Sequence, residues 1–470
     1  MAPYNNDPRS KVAADFYKEK KYQEAYDLYY AMKNEQIELS LWDNRYLAWC
    51  IYRIGIENNT SDLDKVYRSA LYIPKLIEQE ANDKVDCYSF TILQACKILQ
   101  EKNYDKNKII NLYGLINSAL LSKVAGSSEA KDGSTVVYLS VFEKYCSEYS
   151  KLLLEIGKYD NCFLVCEKAL SSLTSYTNTD NELWFHRRKA MCLIGLKHFE
   201  EAQKILAQVV KEKKSQFWAW EDLGDAYTLI EDKMAFYCRG LLCKSKDEYL
   251  VGLREKVIPY FIWATEYSAA KYEINQIVAV REKNEWKISQ NVKDWQLERW
   301  CAKNNSSTDN TPIYKKYSAQ ADALVYSDIK ASSIIVIWKD NRKQIAGYLV
   351  EGSVSSDGSS DGVLKGEFAD VVVPYSTYSV KLAKNKKGQS SPVTLPLAID
   401  NTSLLNQYVR PINGKVRING DNKFGFIEDC FLSPAFIEKY SLKNGDHYEG
   451  KSIKTWNKKK NEWSWVVDET

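Results

Sequence analysis

Two stretches near the end of this 470-residue chain carry side chains whose types and spacing could do chemistry. In KFGFIED, Phe424 and Phe426 flank a glycine; just upstream, GKVRING carries Lys415 and Arg417. Side chains alternate faces along a strand, so the two rings leave one side together and the two cations do likewise. Phe431, between Cys430 and Leu432, is the expected outward aromatic of a third strand. Aromatics beside basic groups on a small β-barrel make a stacking face for unpaired bases. The pattern predicts a single-stranded nucleic-acid reader, RNA before DNA. A bulged strand, by contrast, would turn one of the two rings inward.

The second stretch, GDHYEGKS from Gly445 to Ser452, matches the phosphate-cradling pattern G-x-x-x-x-G-K-S/T. That chemistry needs a buried strand before the loop and a helix after it, whose free N–H groups meet phosphate. Here SIKTWNKKK follows, β-rich and basic, and too few residues remain for a magnesium-binding strand. The match predicts no nucleotide and no other cofactor.

Other constellations are thin. His186 and His198 fall at helical positions and His447 lies near the end, with no HExxH or GxSxG anywhere. Cys162 and Cys166 are one helical turn apart, but no further ligand pair accompanies them, so no metal site is expected. The reading is non-enzymatic. Basic groups cluster at Lys339, Arg342 and Lys343, at Lys384, Lys386 and Lys387, and at Lys458, Lys459 and Lys460, all at expected hairpin ends. Lysine-rich turns also serve simply to keep sheet edges soluble. Beside an aromatic face, Lys458 to Lys460 are expected to meet phosphates.

The elements that must position these groups divide the chain. A net charge of +3 is nearly balanced, so attraction to nucleic acid has to come from local patches. Eleven cysteines, with no CxxC pair, read as buried thiols in a reducing cytoplasm. No apolar run reaches membrane-spanning length. Up to about residue 302 the chain reads as helix after helix. FWAWEDLGDAY places Trp220, Leu223, Gly224 and Tyr227 at the tetratricopeptide spacing W-x-x-L-G-x-x-Y. Second-helix signatures recur at Tyr22 with Ala25, at Tyr159 with Ala169, and at Phe199 with Ala202. Matching Cys162 to Ala202 gives an irregular step of forty residues, so the solenoid is degenerate. SKVAGSSEAKDGS, around Gly126 and Gly133, reads as a long internal loop.

Trp286, Trp295 and Trp300 mark a cap on this solenoid, and CAKNNSSTDNTP reads as a linker over 303–312. Beyond it, ADALVYSDI, SSIIVIW, QIAGYLVE, GEFADVVV and YSVKLA read as β-rich runs, expected to form a first small barrel at 313–402. A second follows at 410–470. The fold class is thus multidomain, α then β: a degenerate tetratricopeptide-like α-solenoid followed by two small β-barrels of the oligonucleotide-binding type.

Several of these motifs carry a family resemblance. KFGFI resembles the aromatic motif of cold-shock domains. The order FGFI, acid, FLSPAFI, SLKNGD, GK is similar to the RNA-binding domain of the transcription terminator Rho. That resemblance implies stacking by Phe424, Phe426, Phe431 and Trp463, with Asp429 in the binding site. The chain departs from it at Ile418, where cold-shock domains have Trp, and at Glu428 and Glu462, where basic groups are expected. The whole layout, with KYEI…REKNEWKI and the spaced Trp from Lys271 to Trp300, resembles proteins of prokaryotic TOTE-type conflict systems. It implies an accessory protein of anti-invader defence, whose helical array docks a helicase or primase-like partner. The alternatives are a pure protein scaffold with structural barrels and, on the phosphate-loop match alone, a nucleotide hydrolase.

Overall fold

The structure is a computed structural model that describes residues 7–58, 61–81, 86–129, 132–172, 179–353, 360–384, 390–420, 424–457 and 460–468. It forms two compact units, Met1–Tyr314 and Lys315–Thr470.

The first unit is built from antiparallel helix pairs, and one turn recurs between the two helices of a pair. Lys20, Gly157, Lys197 and Thr265 all take positive φ. Each is followed by a residue whose N–H reaches back five positions: Lys21 to Phe16, Lys158 to Leu153, His198 to Leu193, Glu266 to Phe261. This left-handed cap satisfies the last carbonyls of one helix and sets the angle of the next. The next helix then opens on an aromatic, at Tyr22, Tyr159, Phe199 and Tyr267. Three residues on, a small side chain, Ala25, Cys162, Ala202 or Ala270, is fully buried where the helices cross. The match of Cys162 to Ala202 thus has a structural meaning, and Tyr267 with Ala270 is a fourth unit of the same kind. Trp220 and Leu223 of the tetratricopeptide-like motif are also buried, and the Trp220 indole N–H donates to Lys214 O at 2.8 Å. All eleven cysteines are free, and burial pushes thiols such as Cys50 up to about 12.

Two stretches of this unit differ from the sequence reading. The expected loop around Gly126 and Gly133 carries an exposed hairpin, β1 (Gly126–Glu129) and β2 (Thr135–Tyr138). β-Branched Thr135, Val136 and Val137 favour a strand once Gly133, at φ 80°, has made the turn. The linker is not free chain either. Lys271 Nζ donates to Cys301 O and Asn304 O at 2.8 and 2.9 Å, and Ser307 N–H donates to Ser268 O. Buried Asn310 donates to Ala269 O at 3.0 Å and to Glu273 at 2.5 Å. Polar composition marked the stretch as irregular, but those polar groups are spent on the helix Tyr267–Lys283.

ADALVYSDI is likewise not a strand: Thr311–Val325 is a helix. Its buried residues Tyr314, Ser318, Ala321 and Val325 follow a helical period, and Pro312 sits in the first turn, where no N–H is needed. The boundary between the two units falls within this helix.

The second unit holds two β modules. The first comprises β3 (Ala331–Asp340), β4 (Ile345–Val350), β5 (Gly362–Lys365), β6 (Thr377–Lys384), β7 (Ser390–Pro392) and β8 (Leu397–Ala398). They order as β5-β4-β3-β6-β7, with β8 on β6; among the described residues β5 and β7 meet without pairing. Ile334, Val336, Tyr348, Leu364 and Val380 form its core. GEFADVVV, expected as a strand, is broken by Gly366 at φ 56° and makes the short helix Glu367–Asp370. The second module is a closed barrel in the order β10-β11-β13-β12-β9. Its strands are β9 (Val409–Ile418), β10 (Gly425–Ile427), β11 (Cys430–Leu432), β12 (His447–Asn457) and β13 (Glu462–Val467). Five strands closed around Val416, Ile427, Leu432, Phe436 and Val467 make a small oligonucleotide-binding type of barrel. After β11 the chain turns into the helix Pro434–Lys439, capped by the Ser433 hydroxyl, which accepts from Phe436 N–H.

Candidate nucleic-acid interface

β10 is three residues long and its alternation is strict: Gly425 and Ile427 are buried, while Phe426 between them is exposed. The glycine is required. A Cβ there would come within 2.8 Å of Arg417 O and crowd Leu432 and Ile437, so no side chain fits on the inward side. β10 pairs with β11 and β9 so that Phe426 stands directly between Phe431 and Arg417. Phe424 precedes the strand, and its carbonyl accepts the Asn419 N–H at 2.9 Å. The three rings form a triangle with every centroid separation 5.8 Å. Phe426 stands at 87° and 72° to the other two, and Phe424 and Phe431 are tilted by 35°. Such a cluster on an exposed barrel wall presents both ring faces and edges to a flat, unpaired base.

Lys415 and Arg417 are exposed on the outward side of β9. The Arg417 guanidinium donates to Glu428 O at 3.0 Å, which holds it beside Phe426. His447 lies across from Lys415 on β12 and is exposed. Glu428, at φ 51°, makes the turn into β11.

The other expected site residues are placed differently. Asp429 bonds the Arg410 guanidinium, which also reaches Cys430 Sγ at 3.3 Å and lies 4.2 Å above the Trp465 ring. Its carboxylate is therefore committed within the barrel. Trp463 packs away from the triangle. β13 runs parallel to β11 with Phe431 opposite Val466, so Val466 and Ser464 share the side of Phe431, and Trp463 takes the other. There it meets Tyr408 and Trp456 edge-on at 5.9 and 5.6 Å and packs on the cluster of Ile335, Ile337, Leu349 and Leu404 from the first module. Lys460 is exposed, 3.8 Å from Glu462. Lys458, Lys459, Lys386, Lys387 and the Lys384 side chain lie outside the described residues. Lys339 donates to Val372 O at 2.9 Å, so it is partly spent on structure. Arg410 and Trp465 were missed by sequence reasoning, although Arg410 has the parity of inward Ile412 and Val416.

The GDHYEGKS run adopts a turn and a strand. Gly445, at φ 91°, donates to Val416 O, and from His447 the chain pairs with β9, Lys451 opposite Pro411. The Ser452 side chain is buried and donates to Arg410 O at 3.3 Å. The strand continues to Asn457, so no helix start is available to receive a phosphate. Lys451→Ala is accordingly expected to leave calorimetric titration with ATP as flat as in the parent chain. An ATP heat that the substitution abolishes would contradict this. Among the described residues no group of three or more His, Cys, Asp or Glu could hold a metal, and no helix is long and apolar enough to cross a membrane.

Fold and site together define a class: a tetratricopeptide-like helical array followed by a β-sheet module and an S1/cold-shock-like β-barrel. Comparison with protein families agrees at the barrel. Residues 410–468 match the family described as S1/CSD-like domain 2 of the TOTE conflict systems. Residues 183–321, which take in the last helix pairs and the segment laid along Tyr267–Lys283, match a domain of unknown function, DUF7017. A comparison with curated proteins finds no match. Among solved structures, the C-terminal part of a TPR repeat-containing protein from Cytophaga hutchinsonii is similar at 13% identity and TM-score 0.33, covering 62% of this chain and 99% of that one. A tetratricopeptide repeat protein from Parabacteroides merdae shows 12% identity and TM-score 0.29 over 61% and 95%. MamA from Desulfovibrio magneticus RS-1 shows 12% and 0.31 over 42% and 97%.

Proposed function

We propose that this chain is a non-enzymatic, cytoplasmic reader of single-stranded nucleic acid, RNA first, and that its binding face is the triangle of Phe424, Phe426 and Phe431. The observation that carries the reading is that triangle: three rings 5.8 Å apart on the outer wall of a closed five-stranded barrel, with Arg417 in register beside Phe426. Lys415 and Arg417 meet phosphates, joined by Lys460 and by Lys458 and Lys459, which precede it in the sequence. With a net charge of only +3, affinity depends on these local cations and falls steeply with salt. The match to the S1/CSD-like domain of the TOTE conflict systems supports both the ligand class and a role in anti-invader defence. The helical array docks a protein partner, a helicase or primase-like component of the same system, because stacked helix pairs leave an extended surface for such contacts.

Mobility shifts of the full chain with single-stranded RNA, single-stranded DNA and duplex oligomers test the reading. Single strands should shift and duplexes of the same length should not. Equal retention of duplex would leave only a non-specific cation effect, and no shift at all would favour a scaffold. Co-purification with a helicase or primase-like protein from the same locus tests the second half.

A further inference from the structure

The first β module carries an exposed aromatic of its own, Trp338. β3 has a bulge between Val336 and Trp338, after which Trp338 pairs with Gly347 of β4. Cross-strand partners share a face, and Gly347 pairs in turn with Val363 of β5, while the next row is Asp340, Ile345 and Lys365. The Trp338 indole lies directly over Gly347: a Cβ on that glycine would stand 2.1 Å from Nε1 and 2.2 Å from Cε2. Only a glycine lets the ring settle against the strand, and 38% of the tryptophan remains open to solvent. A ring seated this way has lost its rotamer freedom before any ligand arrives, which lowers the cost of stacking on it.

The charges around it are mainly positive. Lys365, exposed, sits one row from Gly347 on the same face. The β3–β4 turn adds Arg342 and Lys343, both exposed. The acid in this row, Asp340, accepts the Arg342 and Lys343 backbone N–H groups and lies 3.9 Å from Lys343 Nζ.

We infer that Trp338, seated on Gly347 and flanked by Lys365, Arg342 and Lys343, is a second base-stacking site, so that both β modules engage one single strand. The inference rests on the single-strand reading of the chain but on a different module. An acidic protein segment would meet the cations through carboxylates, but a base with its phosphates meets the open ring face and the cations with one repeating unit.

The test uses the full chain and oligouridines of two lengths, about 6 and about 20 nucleotides, the shorter sized to one barrel. Trp338→Leu keeps an apolar cover on Gly347 and removes the ring; Trp338→Tyr keeps a ring. By fluorescence anisotropy, Trp338→Leu should bind the longer strand about tenfold more weakly, the loss of one stacked base. It should bind the shorter strand as the parent does, and Trp338→Tyr should recover most of the longer-strand affinity. Equal binding of the longer strand by parent and Trp338→Leu, with unchanged circular dichroism, overturns the inference. So does equal weakening by Leu and Tyr, which marks a packing defect. Loss of partner co-purification with RNA binding intact reassigns the surface to protein. If the longer strand loses affinity in Trp338→Leu while substitutions at Phe424 and Phe426 change nothing, this site stands and the barrel reading falls.

Discussion

The double substitution Phe424→Ala with Phe426→Ala is expected to weaken binding of a short single-stranded RNA at least about tenfold, with circular dichroism unchanged. A stacked base contributes about 1–3 kcal/mol as measured by ring removal, and about 1.4 kcal/mol is a factor of ten. Two rings of a mutually supporting triangle go at once, so Phe431 loses its ring neighbours as well. The barrel should survive, because its core is Ile412, Val416, Ile427, Cys430, Leu432, Phe436 and Val467, none of which is touched. Fluorescence anisotropy at two salt concentrations separates stacking from charge: the double variant should lose affinity equally at both, whereas Arg417→Ala should flatten the salt dependence. Parent-like affinity in a folded double variant would remove the basis for the proposed function.

The second large effect concerns stability. Glu273 is fully buried and receives Arg254 Nη1 at 2.7 Å, Asn310 Nδ2 at 2.5 Å and the Tyr314 hydroxyl. Burial, with this carboxylate alongside, pushes the Tyr314 phenol well above its usual range, so it remains a donor at any ordinary pH. Glu273→Ala takes this acceptor from all three donors, leaving Asn310 only Ala269 O and the Arg254 guanidinium, 8% exposed, only the solvent-facing Asp247 at 3.1 Å. Breaking one side of a buried ion pair costs about 3–5 kcal/mol. The expected result is a large drop in the denaturant midpoint of the helical unit and protease cleavage between residues 303 and 314. RNA affinity should hold, since the aromatic face belongs to the other unit. An unchanged midpoint and an uncut 303–314 segment would mean that Glu273 does not hold that segment down.

Much of the architecture was legible in residue order because it follows from local periods. A positive-φ cap, an aromatic opening the next helix and a small residue three positions later recur at four helix turns, and Tyr22, Tyr159 and Phe199 announced it. Strand parity likewise assigned Phe424, Phe426 and Phe431 to one outward face, because alternation is a property of the backbone itself. Composition misled where polar residues are spent internally. Asn304, Ser307 and Asn310 look like linker, yet each bonds into the helical unit. ADALV reads as a strand because its apolar residues are β-compatible, but a helical burial period runs through it from Tyr314.

Partners were beyond the reach of any local period. Parity alone does not say which strand lies beside β13, and its parallel pairing with β11 turns Trp463 away from the phenylalanines and onto Ile335 and Leu404. Nor could spacing reveal that Asp429 is committed to Arg410, nineteen residues earlier in the chain. The seat of Trp338 on Gly347 depends on a bulge and on a register between two strands. Local propensity is written residue by residue; which face is covered, and by what, is settled only when distant segments compete to bury the same apolar area.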